Sequence, residues 1–238
     1  VPAENLIGGE GKGLKLALTT LNDGRLSIPN ICVGGAKAAL TIVRGWCNER
    51  VQWGRPIGKH EAVSQRLADL AATTFAMESV ADLATQMSDR GGCDIRLEAA
   101  AAKEWNTARG WELCDDTRQI RGGRGYENAR SLYERGERPT AVEMGLRDAR
   151  INRIFEGSSQ VMHLIMAREA LDTHFKLVMP ILQPKPGQKL SKGEAMMKAA
   201  GFYGSWLPKL FLPDTGGHLE AKHLSERNRK HLAYAAKT

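Results

Sequence analysis

The sequence has few features of a disulfide-stabilised, zinc-binding or membrane-spanning protein. Only four of its 238 residues are cysteines, and Cys32, Cys47, Cys93 and Cys114 lie far apart. They form no CxxC pair and have no neighbouring histidine cluster, so neither a disulfide framework nor a metal site is indicated. No apolar run approaches the roughly 20 residues of a membrane-spanning helix. A content of 42% hydrophobic and 26% charged residues is typical of a globular domain with a sizeable core.

The positive charge is concentrated at one end of the sequence. The formal net charge is +7, but residues 1–179 contain 24 basic and 23 acidic side chains, whereas residues 180–238 contain 10 and 4. A nucleic-acid-binding domain usually presents a basic surface on its folded body. The nearly neutral body therefore argues against nucleic-acid binding, and we interpret the tail as a solvated charged segment.

A first helical pattern covers residues 13–49. Its apolar residues recur at helical spacing, but Asn22-Asp23-Gly24 and Pro29 interrupt it. The pattern predicts either two helices or one kinked helix. Residues 52–58 are rich in glycine and proline and predict a loop.

Three further stretches complete the helical pattern. They cover residues 60–89, residues 93–120 and a segment that begins after Ser158, which is a good N-cap residue. Long amphipathic helices joined by short loops favour neighbours that run in opposite directions. The sequence therefore predicts an all-α fold, an antiparallel four-helix bundle.

The rest of the chain is less regular. Residues 127–149 are polar and predict an irregular connection. A cluster of linker residues follows Met179, namely Pro180, Pro184, Pro186 and Gly187, before two helical candidates at 191–208 and 216–236. We expect a short helical C-terminal appendage there. The sequence opens with VPAENLIGG, which reads as the end of a strand and a loop, so we expect a piece of a longer polypeptide.

Neither glycine-rich segment matches a nucleotide-binding fingerprint. The segments GGEGKG and GGRG lack the GxGxxG and P-loop spacings and do not lie between a strand and a helix. From the sequence alone, we interpret Gly122 and Gly123 as helix C-cap and turn residues. The alternative is that they allow close approach of a cofactor.

One carboxylate stands out in the segment INRIFEGSSQV. Ile154 and Phe155 would shield Glu156 from water, whereas the start of the following helix would favour its anion. Such opposing influences suit a general base, although a capping or solvated carboxylate has the same spacing. By the same reasoning Arg25 and Arg50 read as surface or capping arginines.

Five segments, in this order, resemble the C-terminal half of the acyl-CoA dehydrogenase family. They are VPAENLIGGEGKGLKLAL, LNDGR, ERVQWGRPIGKHEAVSQRLADLA, RQIRGGRGYE and LRDARINRIFEGSSQVMHLIMARE, and together they span about residues 1 to 172. Each segment alone is weak. The five in this order and at compatible spacing are specific.

The resemblance implies an FAD enzyme that converts an acyl-CoA thioester to the trans-2-enoyl-CoA. A carboxylate removes the pro-R α-proton while the β-hydrogen leaves as hydride to the flavin. In the family the base is commonly the Glu of the EG motif, and in some branches a Glu of the helix that carries the LNxxR motif. Glu156 occupies the first position and Gly24 the second, so the resemblance implies that Glu156 is the base.

The resemblance also implies the binding positions. On the cofactor side, Ser158 and Gln160 would contact the flavin. A segment with Arg50, Gln52 and Trp53 would reach the FAD of a neighbouring subunit, and a glycine loop with Gln119, Gly122 and Gly123 would lie at the same place. The substrate side comprises positions near the thioester and pantetheine: Asn22, Arg25 and Gly157. The backbone N–H of the base is expected to hold the thioester carbonyl.

Domains and partners follow from the same resemblance. Residues 1–12 would end a preceding β domain, residues 13–178 would form the helical bundle that binds FAD and acyl-CoA, and residues 179–238 would be a basic extension. The isolated chain is expected to be inactive. Expected partners are acyl-CoA, an electron-transfer flavoprotein and identical subunits in a homodimer or homotetramer, with no nucleic acid and no membrane span. A bacterial cytoplasm is expected, or the mitochondrial matrix in a eukaryote.

Three alternatives remain at this level. An acyl-CoA oxidase would use the same base and flavin with oxygen as acceptor. A DNA-binding flavoprotein of the same fold would use the basic tail, and its affinity would fall steeply with salt. A purely structural bundle is disfavoured, because a core needs neither the carboxylate of IFEG nor the QIRGG segment.

Overall fold

The computed structural model describes residues 2–183, 191–211 and 224–237, and most of these are helical. The chain divides into two compact units, Val1–Ala170 and Leu171–Thr238. The described helices are α1 (Gly13–Glu49), α2 (Glu61–Arg90), α3 (Arg96–Arg121), α4 (Gly123–Tyr126), α5 (Ala129–Glu134), α6 (Val142–Ile151), α7 (Ser159–Leu182), α8 (Lys192–Phe211) and α9 (Glu226–Lys237).

Side-chain contacts give the direction of the first three long helices. An ion pair joins Lys37 of α1 to Glu78 of α2, and Asn30 of α1 hydrogen bonds Thr85 of α2 at 3.3 Å. The residue numbers fall along α2 as they rise along α1, so these two helices are antiparallel. Arg66 of α2 pairs with Asp116 of α3, and Met77 of α2 accepts from Asn106 of α3, so α2 and α3 are antiparallel as well.

The first half of α7 supplies the fourth helix. His163 lies 3.4 Å from Glu104 of α3, and Glu169 lies 3.0 Å from Arg96 of α3. The order of these pairs makes α7 antiparallel to α3. The predicted all-α, antiparallel four-helix bundle is therefore confirmed.

The core lies where α1, α2 and α3 meet. Its buried members include Ile28, Val33, Val43, Met77 and Leu113. Removal of such side chains from water is the main favourable contribution to the free energy of folding.

Gly110 and Asn106 of α3 lie where the three helices meet. A Cβ added at Gly110 of α3 would lie 3.4 Å from the Cβ of Cys32 and 3.6 Å from the Cε of Met77. Beside it, the Asn106 amide donates to the carbonyl of Met77 at 3.0 Å and to that of Pro29 at 3.4 Å. The side chain of Asn106 therefore ties all three helices together.

The structure decides one open local prediction and corrects two others. Of the two alternatives for the first pattern, it shows a single helix, α1, with Pro29 inside it. The predicted loop at 52–58 contains a two-residue antiparallel hairpin, β1 (Val51–Gln52) and β2 (Arg55–Pro56). The prediction of an irregular connection at 127–149 is wrong, because α5 and most of α6 lie there.

The prediction of a linker after Met179 is only partly testable. Helix α7 continues through Pro180 to Leu182. Pro184, Pro186 and Gly187, and the first part of the helical candidate at 216–236, lie outside the described residues.

Helix α1 is long and apolar enough to cross a membrane by length and composition alone. Core helices of soluble proteins pass the same test, so this is weak evidence for a membrane span. Ile28, Cys32, Val33, Ala36 and Val43 of this helix are buried in the bundle core.

The second unit contains an aromatic cluster of its own. The imidazole of His174 stacks on the ring of Tyr203, and its Nδ1 lies 2.9 Å from the Tyr203 hydroxyl. Phe202 and Trp206 present their rings edge-on to the same imidazole. This cluster joins the end of α7 to α8.

Candidate active site

Glu156 lies in a tight turn between α6 and α7 with an unusual backbone. Its φ is +52°, and Gly157 follows with φ +102°. A left-handed φ is strained for any residue with a Cβ and persists only where the surroundings impose it. The Oε2 atom of Glu156 is buried and has no hydrogen-bond partner among the residues that the structure describes.

Gly24 of α1 faces this carboxylate directly. A Cβ added at Gly24 would overlap the Oε2 atom of Glu156. The LNDGR segment of α1 and the IFEGSS turn, 132 residues apart in the sequence, therefore meet at one point. The two positions at which a base was expected from the resemblance converge here, and only one of them carries a carboxylate.

The neighbouring side chains of α1 are polar. The Nη1 of Arg25 donates to Oδ1 of Asn22 at 3.1 Å, while the buried Nε of Arg25 has no partner among the described residues. On the turn side, Nε of Arg153 and Oγ of Ser159 are likewise buried and unpartnered there. Unpartnered buried polar atoms are uncommon in folded proteins, and four of the nine among the described residues lie in these two segments, which fits a place where a polar ligand binds.

Lys103 of α3 lies beneath the same turn. Its side chain is wholly buried, and its Nζ donates to the carbonyl oxygen of Gly157 at 2.6 Å. Sequence reasoning missed this residue. The available signal was its helical phase, because Ala99, Ala100, Asn106 and Lys103 share one buried face of α3.

A second group of predicted residues lines a cavity of about 550 Å³ at the end of α1 and α3. Arg50, Gln52, Gly122 and Gly123 all border it. Gly122 has φ +60° and terminates α3, which exposes the backbone of the following residues. The structure thus brings together four of the eight predicted cofactor positions.

Two further arginines, Arg121 and Arg124, line this cavity, and neither was predicted. The guanidinium of Arg121 lies 4.8 Å from the ring centroid of Trp46, and that of Arg50 lies 6.0 Å from the same centroid. Burial lowers the pKa of Arg121, and the Glu137 and Glu49 carboxylates act in the opposite direction. Arg124 donates to Glu137 at 2.7 Å, which raises the pKa of Arg124 and lowers that of Glu137.

The remaining predicted positions lie elsewhere. Gln119 borders an adjoining depression of about 390 Å³ that shares Gly122 and Gly123 with the cavity. Trp53 does not line the cavity; it is 90% exposed with φ +49°, and its ring meets His60 edge-on. Ser158 and Gln160 follow the Glu156–Gly157 turn in the sequence. Within the described ranges, no three His, Cys, Asp or Glu side chains form a metal-binding group.

Comparisons with known protein sequences and structures identify the same family. The sequence profile described as "Acyl-CoA dehydrogenase, C-terminal domain" matches residues 11–171. FadE10 of Mycobacterium tuberculosis, whose name is "Probable acyl-CoA dehydrogenase", is 54% identical over 210 residues, which cover 88% of this chain and 32% of FadE10.

Solved structures agree with the sequence comparison. The butyryl-CoA dehydrogenase of Megasphaera elsdenii superposes with a TM-score of 0.65 at 32% identity, covering 72% of this chain and 42% of that one. A chain from the structure of the electron transferring flavoprotein of Acidaminococcus fermentans gives 0.65 at 34% identity, with the same coverage of both chains. The present chain therefore spans about a third of FadE10 and less than half of these structures. The chain belongs to the acyl-CoA dehydrogenase family, as its sequence motifs suggested, and residues 11–171 form the family's C-terminal domain.

Proposed function

We propose that this chain is the C-terminal helical part of an enzyme that oxidises an acyl-CoA thioester to its trans-2-enoyl-CoA, with Glu156 as the base. The observation that carries the proposal is the buried Oε2 of Glu156, which lies opposite Gly24 and has no hydrogen-bond partner in the described part of the chain. A carboxylate without a hydrogen-bond partner is free to accept a proton from a ligand. The reaction is assigned to the complete enzyme, and the isolated 238 residues are proposed to be inactive.

The residues around Glu156 suit an acyl-CoA thioester. The backbone N–H of Glu156 would hold the thioester carbonyl, which stabilises the negative charge that develops there when the α-proton leaves. Gly157 is proposed as the neighbouring substrate position; a Cβ there would overlap Met162. Arg25 and Asn22, joined by their hydrogen bond, would contact the thioester end of the pantetheine chain.

The donor set of the 550 Å³ cavity fits the diphosphate half of FAD. Arg50 and Arg121 supply cationic donors, and Gln52 with the backbone of Gly122 and Gly123 supplies neutral ones. Gln119 would extend this set, and Trp53 on the hairpin would contact a neighbouring subunit's cofactor. Ser158 and Gln160 would contact the flavin, which accepts the β-hydrogen as hydride when it is bound.

Partners and location are part of the same proposal. Cofactor contacts across subunits require a homodimer or homotetramer. The electron acceptor would be an electron-transfer flavoprotein, in the bacterial cytoplasm. Release of hydrogen peroxide in air at the rate of substrate oxidation would instead indicate an acyl-CoA oxidase.

Substitution of Arg50 or Arg121 by Met is expected to weaken FAD binding to the complete enzyme. Loss of one charge-assisted hydrogen bond costs about 1.5–3 kcal/mol, or roughly 10- to 150-fold in affinity. Equilibrium dialysis followed by flavin fluorescence measures this directly. Arg44→Met is the matched control, since Arg44 is an exposed arginine of α1 that does not line the cavity. Equal FAD affinity in all three variants would remove this cavity from the proposal.

Anaerobic titration of the complete enzyme with short, medium and long acyl-CoAs tests the reaction. Reduction of the bound flavin removes its visible absorbance, so a true substrate bleaches it without another reagent. We expect bleaching by at least one chain-length class, and the extent of bleaching ranks the substrates. A flavin-loaded enzyme that no acyl-CoA bleaches would contradict the proposed function.

A further inference from the structure

A lysine is an unusual residue to find wholly buried in a helical bundle. Lys103 is 0% exposed and lies on the face of α3 that also carries the buried residues Ala99, Ala100 and Asn106. Lysine is almost never fully buried unless its ammonium is paired. An alkyl side chain would fill the same space without the cost of removing a charge from water.

The charged end of Lys103 has one specific partner. Its Nζ donates to the Gly157 carbonyl at 2.6 Å, across 54 residues of sequence. Burial lowers the pKa of this ammonium; Cys32, Glu104 and Glu156 raise it, and Arg25 lowers it. Glu156 belongs to the turn, and Arg25 follows Gly24 in α1. Lys103 is therefore electrostatically coupled to the site as well as hydrogen bonded to it.

The bonded carbonyl belongs to a turn that needs support. Glu156 and Gly157 have consecutive positive φ values, +52° and +102°. For Glu156, a residue with a Cβ, that conformation is strained and requires contacts that hold it in place. A Cβ at Gly157 would overlap the Cε of Met162, so the turn packs against the first turn of α7 on that side, while its carbonyl is bonded to α3.

Fixing the Gly157 carbonyl fixes the direction of the preceding residue. The peptide plane between Gly157 and Ser158 is held to α3, and the two left-handed residues before it then determine where the Glu156 side chain points. That direction is toward Gly24. A turn released from α3 would leave Glu156 free to adopt ordinary negative φ values and to carry its carboxylate away from α1.

We propose that Lys103 is a positioning residue, which holds the Glu156–Gly157 turn in its strained conformation and so places the Glu156 carboxylate opposite Gly24. The inference rests on the proposed function of Glu156 as the base. Lys103 does not itself touch substrate in this account. Its contribution lies in the geometry of proton removal rather than in acyl-CoA binding.

The test uses single-turnover flavin bleaching by acyl-CoA in the complete, FAD-loaded enzyme. Lys103→Met keeps an unbranched side chain, shorter by the terminal nitrogen, and removes the donor. We expect a bleaching rate about 10²-fold lower, the loss that a displacement of about 1 Å produces in a positioned reacting group. The acyl-CoA dissociation constant should change less than about threefold, because uniform binding is untouched. Substrate deuterated at the α-carbon should slow the variant more than the unsubstituted enzyme, because α-proton removal has become the slower step.

Two further variants separate positioning from stability. Leu113→Ala removes a buried side chain of the same helix away from the turn, and we expect lower thermal stability but an unchanged bleaching rate in the folded fraction. Lys103→Gln retains a shorter, neutral donor, and we expect a rate about tenfold lower, between those of the unsubstituted and Met enzymes. The Gln variant also decides the matter if the Met variant does not fold.

A folded Lys103→Met or Lys103→Gln enzyme that bleaches at the unsubstituted rate would overturn the inference. An equal loss in Leu113→Ala would also overturn it, because general destabilisation would then explain the effect. If the unsubstituted enzyme fails to bleach with any acyl-CoA, the proposed function fails first. Normal bleaching in the unsubstituted enzyme together with normal bleaching in the Lys103 variants refutes only the positioning role.

Discussion

Glu156→Gln is expected to abolish anaerobic flavin bleaching by acyl-CoA while FAD stays bound to the complete enzyme. Gln has nearly the same shape as Glu but cannot accept a proton from the α-carbon. Positioned acid–base groups contribute typically 10²- to 10⁴-fold to a rate, and we expect a loss at the upper end of that range because the structure offers no second carboxylate at Gly24.

Stopped-flow absorbance with the best acyl-CoA substrate measures this loss. Glu112→Gln is the matched control, because Glu112 is a glutamate of α3 that pairs with Arg109 at the surface. It should bleach at the normal rate. A Glu156→Gln enzyme that keeps its flavin and bleaches normally would show that another group removes the proton.

Gly24→Ala is expected to lower the bleaching rate about 10²-fold with little loss of stability. The added Cβ would overlap the Glu156 carboxylate, which is the far end of a flexible side chain and can move aside. The helix itself gains a better helix former. The expected result is thus a folded protein whose base has moved, a combination that a general packing defect would not produce.

Thermal melting and single-turnover bleaching, measured on the same preparation, check both parts of this expectation. Gly34→Ala is the control, because a Cβ at Gly34 of α1 meets nothing within 4 Å. A stronger form of the test moves the base. Gly24→Glu combined with Glu156→Gly should recover part of the activity that Glu156→Gly loses, since the two positions face one point. Normal bleaching in Gly24→Ala would contradict the placement of the carboxylate.

Much of the bundle could be predicted because its helices have clear periodic patterns. Helices α2 and α3 begin and end within three residues of the predicted stretches 60–89 and 93–120. The choice between one helix and two at Pro29 could not be made in advance, because Pro29 is buried in the folded bundle. The carbonyl of Pro29 accepts from Asn106, a contact that only the folded bundle creates.

Helices α5 and α6 were missed for a physical reason. Both are short, and α6 contains Gly145 and a high proportion of charged residues. Short helices are marginal in isolation and form here because of tertiary contacts. Leu132 of α5 and Val142 of α6 are buried, and the guanidinium of Arg150 in α6 lies 5.9 Å from the ring centroid of Trp111 in α3.

The candidate site, too, could be predicted only in part from the sequence. The motif IFEGSSQV was sufficient to single out Glu156 once the family resemblance was considered. The left-handed turn, the contact with Gly24 and the buried Lys103 were not predictable, because each depends on segments distant in the sequence. Lys103 follows four alanines, and a single lysine in such a run ordinarily reads as a solvated residue.

The most direct test of Glu156 as the base is exchange of the substrate α-proton with solvent. The complete enzyme and its Glu156→Gln variant are incubated anaerobically with acyl-CoA in deuterium oxide, and deuterium at the α-carbon is followed by proton NMR. We expect deuterium in the pro-R position with the unsubstituted enzyme and none above background with the variant. Exchange at an equal rate in the flavin-loaded variant would contradict the assignment of Glu156 as the base.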